Sequence, residues 1–160
     1  MTAKIGDTIP EVTLRTKTAE GVKTLTTGEI FRGKKVVLFA VPGAFTPTCS
    51  DAHLPGFVVQ APEFLAKGID TVACVAVNDV HVMDAWGKAQ GVGDSILMLS
   101  DGNGELAKAL GLVLDASGAG LGLRSRRYSA LVENGVIRKL HVEPATAVTV
   151  SGAESLLAEI

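Results

Sequence analysis

Val36-Val37-Leu38-Phe39-Ala40-Val41, followed without a break by Pro42-Gly43-Ala44-Phe45-Thr46-Pro47-Thr48-Cys49-Ser50, is the stretch on which the fold turns. The first six residues are apolar, rich in strand formers and too few for a buried helix, so they read as a buried strand. Pro42-Gly43 ends it. Thr46-Pro47 has the composition of a helix start, with Thr46 at the N-cap and Pro47 in the first helical position. Cys49 then falls in the first turn, near unpaired backbone N–H groups and the positive end of the helix dipole. That setting favours a reactive thiolate. The plainer alternative is a small buried hydrophobe following a strand.

The rest of the composition bounds what such a cysteine can belong to. The chain has 160 residues, which suits one domain spanning 1–160, and 47% of them are hydrophobic, enough for an ordered core. A net charge of -2 supplies no electrostatic reason to bind nucleic acid or an anionic membrane. Arg124, Arg126 and Arg127 form the one dense basic spot. Two cysteines make no disulfide framework, there is no Cys-x-x-Cys, and neither cysteine has zinc-site spacing. His81 and His141 stand alone, so no metal is expected. The N-terminal MTAKIGDTIP lacks an apolar or Arg-rich leader, and no run approaches ~18 apolar residues. The expectation is a cytoplasmic protein with no membrane span.

Outward from the central stretch, the elements follow in order. Val12–Thr16 and Lys23–Thr26 flank a Glu20-Gly21 turn and predict an N-terminal hairpin, followed by a helical turn at Thr27–Phe31. After Cys49 a helix is expected to kink or break at Pro55-Gly56. Beyond it Phe57, Ala61, Phe64 and Leu65 recur at helical spacing and should face the core, until Lys67-Gly68 closes the helix. Ile69–Val77 is a second buried strand, Asn78-Asp79 caps a helix to Lys88, and Ile96–Ser100 is a third strand. Asp101–Gly104 is a turn before a short helix ending at Gly111, and residues 115–123 form a glycine-rich loop. Asn134-Gly135 between the segments Arg127–Val132 and Val136–Leu140 is a strong hairpin signal, and Ser151 is a candidate cap for a helix at 154–160. Strands joined through helices pair in parallel, whereas the Asn-Gly hairpin is antiparallel. An α/β fold follows: a mixed central sheet flanked by helices, with an N-terminal hairpin and a C-terminal hairpin plus helix.

Pro42, Thr46 and Cys49 match the Pro-x-x-x-Thr-x-x-Cys signature of the peroxiredoxins. The longer run PGAFTPTCS, followed by HLPGF at 53–57, resembles their type II, peroxiredoxin-five-like branch. The resemblance implies a thioredoxin-like fold and a thiol peroxidase reducing hydrogen peroxide and alkyl hydroperoxides through a sulfenic acid on Cys49. No cofactor beyond an external thiol is implied. It also implies a homodimer packed through the loops near the site. Arg-Arg-Tyr-Ser at 126–129 resembles the segment that carries the family's cation, with Arg127 the best match. Spacing alone does not separate it from Arg126 or Arg124, although strand alternation puts Arg126 and Arg127 on opposite faces.

Each candidate has a chemical reason. Thiolate attack on a peroxide breaks the O–O bond and loads charge on the departing oxygen, so donors must be aimed there. Thr46 can supply a hydroxyl or simply cap the helix. Pro42 stiffens the loop and shields the sulfur, or merely ends the strand. His53, one turn beyond Cys49, can share its helix face; an exposed or capping histidine is the plainer reading. Cys74 lies 25 residues beyond Cys49. That spacing resembles plant type II enzymes, in which this cysteine is proposed to resolve the sulfenic acid; mid-strand, an inert buried thiol is favoured. Residues 147–152 hold none of the C-terminal resolving cysteine of animal relatives. This departure points to glutathione with glutaredoxin as the expected reductant, with thioredoxin or another thiol as the alternative. The alternative function is a non-enzymatic redox sensor or relay of thioredoxin fold.

Overall fold

The computed structural model describes residues 2–160. Seven strands form one mixed sheet in the order β2-β1-β5-β4-β3-β8-β9. They are β1 (Thr13–Thr18), β2 (Gly21–Thr26), β3 (Lys35–Val41), β4 (Thr71–Ala76), β5 (Leu97–Ser100), β8 (Tyr128–Glu133) and β9 (Val136–Val142). β3, β4 and β5 run parallel, because helices α2 (Leu54–Ala66) and α3 (Val80–Ala89) make the crossovers. β8 returns antiparallel to β3, and β9 to β8 through the Asn134-Gly135 turn, where both residues have positive φ. On the other side the N-terminal hairpin joins through an antiparallel bridge from β1 to β5.

Period-two alternation divides the buried strand residues into two cores. Val37, Phe39, Val41, Val72 and Cys74 face α2, α3 and the C-terminal α5 (Ala153–Leu157). Val36, Leu38, Ala40, Ala73 and Val75 face α1 (Thr27–Phe31) and α4 (Glu105–Leu110). Both faces of β3 are covered, which is why its sequence is continuously apolar.

Three local expectations are corrected and one is extended. The helix does not break at Pro55. A π-helical turn, Cys49–His53, runs without a gap into α2, and the Leu54 N–H donates to the Cys49 carbonyl; the wider spacing of that turn accommodates the ring and missing N–H of Pro55 just beyond it. Leu65 is 52% exposed, since Phe57, Ala61 and Phe64 already fill the stripe facing the sheet. The glycine-rich loop is found as expected, and the structure adds that it is the tip of a small separate hairpin, β6 (Val113–Asp115) with β7 (Leu123–Ser125). Ser151 does not cap α5; Gly152 occupies that position, and the Ser151 hydroxyl is drawn to a buried carboxylate.

Candidate active site

The site lies at the C-terminal ends of β3 and β4. Pro42 and Gly43 are buried directly after β3. The Ala44 N–H donates to Asn78 Oδ1 at 2.9 Å, tying this loop to the end of β4. Phe45 stands at φ 63° and is 55% exposed, a strained conformation for an aromatic residue at the rim of the site. The chain then turns into helix, and Cys49 opens the π-turn with none of its surface exposed.

Thr46 does not act as the expected side-chain cap. Its hydroxyl donates to the Gly43 carbonyl at 2.6 Å, which fixes its proton and leaves the oxygen lone pairs as acceptors. The Ser50 N–H is likewise taken up by the Thr46 carbonyl rather than by sulfur. The donor on Cys49 Sγ is instead a guanidinium: Arg127 Nη2 at 3.1 Å.

Sheet register explains which arginine arrives. Tyr128 pairs with Ala40, so the residue before β8 lies beside the end of β3, where the cysteine loop begins. Arg127 is 2% exposed and turned inward. Its Nε donates to the Thr146 carbonyl at 3.0 Å and its Nη1 to His53 Nδ1 at 3.0 Å. Arg126, which like Arg127 lies between β7 and β8 rather than in a strand, donates to the Glu143 carbonyl. Arg124 donates to the carbonyls of Val77 and Leu121. The choice left open among three arginines resolves to Arg127.

His53 is not the exposed or capping residue of the plainer reading. It is 1% exposed, packed edge-on to Phe39 and Phe57 at centroid distances of 5.1 and 5.5 Å. Burial, helped by the Arg127 charge and opposed by a hydrogen bond to Ser151, lowers its pKa to about 4. The neutral ring accepts from Arg127 at Nδ1 and donates from Nε2–H to the Ser151 carbonyl at 2.9 Å. Cys74 lies in the same core as Cys49, fully buried; desolvation pushes its thiol well above the ordinary range. Both cysteines are free. No cluster of three metal-ligating side chains occurs among the described residues.

A buried thiol beside a buried guanidinium, on this sheet, is shared with known proteins. The Redoxin family model matches residues 4–157. This chain belongs to the Redoxin family and is a peroxiredoxin. It is 52% identical over 161 residues to the chloroplastic Peroxiredoxin-2E-2 of Oryza sativa, covering 98% of this chain and 72% of that protein. It superposes on reduced Prx3 of Vibrio vulnificus in complex with hydrogen peroxide with a TM-score of 0.95, at 52% identity and 99% coverage of both chains. Peroxiredoxin 5 of Alvinella pompejana matches at a TM-score of 0.86 and 37% identity, over 98% of this chain and 96% of that one. These relatives establish the type II branch, the thioredoxin-like fold and a thiol-dependent peroxidase, and they favour the enzyme over a sensor without turnover.

Several groups in this peroxiredoxin site escaped sequence reasoning. The Thr146 and Ser151 carbonyls have no sequence signature, because any residue supplies a carbonyl. Glu143 carried only a weak signal, an acidic residue directly after a strand of mixed polarity and before Pro144. Trp86, fully buried on α3, donates from its indole N–H to Ser50 Oγ at 3.0 Å and braces the turn that carries Cys49.

Proposed function

We propose that Cys49 is the peroxidatic nucleophile, reducing hydrogen peroxide and alkyl hydroperoxides. The contact that carries this reading is Arg127 Nη2 to Cys49 Sγ at 3.1 Å. A guanidinium there stabilises negative sulfur and offers N–H donors where the O–O bond gains charge. Thr46 Oγ1, its proton committed to Gly43, accepts from the peroxide O–H and orients it. Pro42 leaves its loop without a competing N–H and shields the sulfur.

Sulfur attacks one peroxide oxygen as the O–O bond breaks, leaving a sulfenic acid and a hydroxide or alkoxide that takes up a proton. One glutathione thiol condenses with the sulfenic acid, releasing water and forming a mixed disulfide. A second thiol, from glutathione or glutaredoxin, displaces the Cys49 thiolate. The burial of Cys74 supports this one-cysteine cycle over an internal resolving step. The two free cysteines suit a reducing, cytoplasmic compartment. Exposed Phe45, Leu121 and Val150 on loops, with Leu123 at the start of β7, supply an apolar surface for a homodimer.

The test is NADPH-coupled peroxide turnover with glutathione plus glutaredoxin, against thioredoxin, on wild type and Cys49→Ser. Loss of turnover in the variant, with the glutathione system faster, is expected; retained turnover in Cys49→Ser would remove the assignment. Sedimentation of wild type and Leu123→Glu tests the dimer.

A further inference from the structure

The guanidinium at Cys49 is not held by the sheet. Its Nε and Nη1 contacts go to the Thr146 carbonyl and to His53, and His53 is in turn oriented by the Ser151 carbonyl. Both carbonyls sit in residues 144–152, a segment with no helix or strand that connects β9 to α5. Such a segment has no ladder of its own to fix it. Most of the hydrogen bonds that tie it down go to one side chain. Glu143 is 1% exposed, and its Oε2 accepts from the backbone N–H groups of Thr149, Val150 and Ser151 at 2.8, 2.8 and 2.7 Å and from Ser151 Oγ at 2.7 Å. Its Oε1 accepts from Thr149 Oγ1 at 2.5 Å. The Glu143 backbone is itself locked to the arginines, its N–H donating to the Arg127 carbonyl at 2.9 Å and its carbonyl accepting from Arg126.

We propose that Glu143 is a positioning residue for the peroxidase reaction, its carboxylate folding the 144–152 segment into the cradle that aims Arg127 at Cys49. Five donors converge on one carboxylate and draw residues 149–151 back beside the end of β9. Ser151 then presents its N–H and hydroxyl to Glu143 and its carbonyl to His53. The chain of contacts runs from Glu143 through Ser151, His53 and Arg127 to Sγ, so the guanidinium's aim depends on a residue that touches neither sulfur nor peroxide. The inference rests on Cys49 as the reacting thiol.

The experiment uses the full reduced chain. Oxidation by hydrogen peroxide is followed in single turnover by fluorescence of Trp86, the one tryptophan. Alkylation of Cys49 by iodoacetamide, like oxidation, needs a thiolate and access to sulfur, but no guanidinium aimed at a departing peroxide oxygen, and serves as the reference. Glu143→Ala should slow oxidation about tenfold, the worth of one charge-assisted hydrogen bond, while alkylation changes less than threefold by the same reasoning. Glu143→Gln, which keeps an acceptor but loses the charge, should fall between. In nitrogen-15 spectra the Arg127 Nε–H, bonded to Thr146, should exchange faster with water in both variants. Oxidation within twofold of wild type in a folded variant would overturn the proposal. So would oxidation and alkylation falling in proportion, or an unchanged Arg127 signal. If neither variant folds, Glu143 serves the fold and not the arginine, and the proposal also fails. Wild type whose Cys49 does not consume peroxide would instead remove the nucleophile assignment and leave the cradle's effect on the Arg127 signal standing.

Discussion

His53 Nδ1 accepts from Arg127 Nη1 at 3.0 Å while its Nε2 meets the Ser151 carbonyl at 2.9 Å, so only the neutral Nε2–H tautomer satisfies both contacts. A second ring proton would point a donor at a guanidinium donor.

The pH dependence of stability follows from that pair. His53 titrates near 6.5 when unfolded and about 4 when folded, so the folded state rejects the proton. Its contribution is complete above pH 6.5 and is lost as pH falls to 4, a loss of roughly 3 kcal/mol. Burial disfavours the Glu143 carboxylate, but hydrogen bonds from Thr149 and Ser151 outweigh it and hold the pKa at about 2, against 4.5 when free. That contribution is lost as pH drops from 4.5 through 2. Urea midpoints between pH 3 and 8 should decline in both windows. His53→Gln, whose amide can accept and donate as the neutral ring does, should flatten the upper window and leave the lower one. An unchanged upper window would refute the assignment to His53.

Cys74 should stay out of the cycle. Desolvation keeps its thiol protonated, whereas Cys49, equally buried, has the Arg127 guanidinium on its sulfur. After peroxide, dimedone should mark Cys49 alone by peptide mass mapping. Cys74→Ser should retain turnover with glutathione and glutaredoxin within about twofold, since losing one buried thiol acts on stability first. A tenfold drop would make Cys74 a participant.

Gly87 on α3 is a close-packing position. A Cβ there would stand 2.9 Å from Met98 Cγ and 3.3 Å from Val92 Cγ2. Ala gains up to ~1 kcal/mol in helix propensity, but overpacking costs about 1–3 kcal/mol. Overpacking wins, and Gly87→Ala should lower Tm by about 2–4 °C for a net loss near 1 kcal/mol. A rise in Tm would show that Met98 yields freely.

Ser50→Ala strands the buried Trp86 indole N–H. An unpaired buried donor costs about 1–3 kcal/mol, which equilibrium urea unfolding resolves. Equal stability would mean that the indole finds another partner.

Most of the fold was legible because its signals are local. The run Val36–Val41 is apolar throughout because both faces of β3 are covered, and Asn134-Gly135 turns because both residues adopt positive φ. Where local reading failed, the reason was tertiary. Pro55 predicted a break, but the π-turn before it absorbs the missing donor. Leu65 has the right spacing, yet no element packs over it.

The sequence by itself determined the strand-to-helix junction, the place of Cys49 within it, the peroxiredoxin signature of Pro42, Thr46 and Cys49, and a short set of arginines. Tertiary structure decided which arginine, and what aims it. The Ala40–Tyr128 register brings Arg127 to the end of β3, and the β8–β9 pairing brings Glu143 beside Arg127. Sheet register brings together Cys49 and Arg127, 78 positions apart, and carbonyl groups carry no residue identity, so the cradle around Arg127 exists only once the chain is folded.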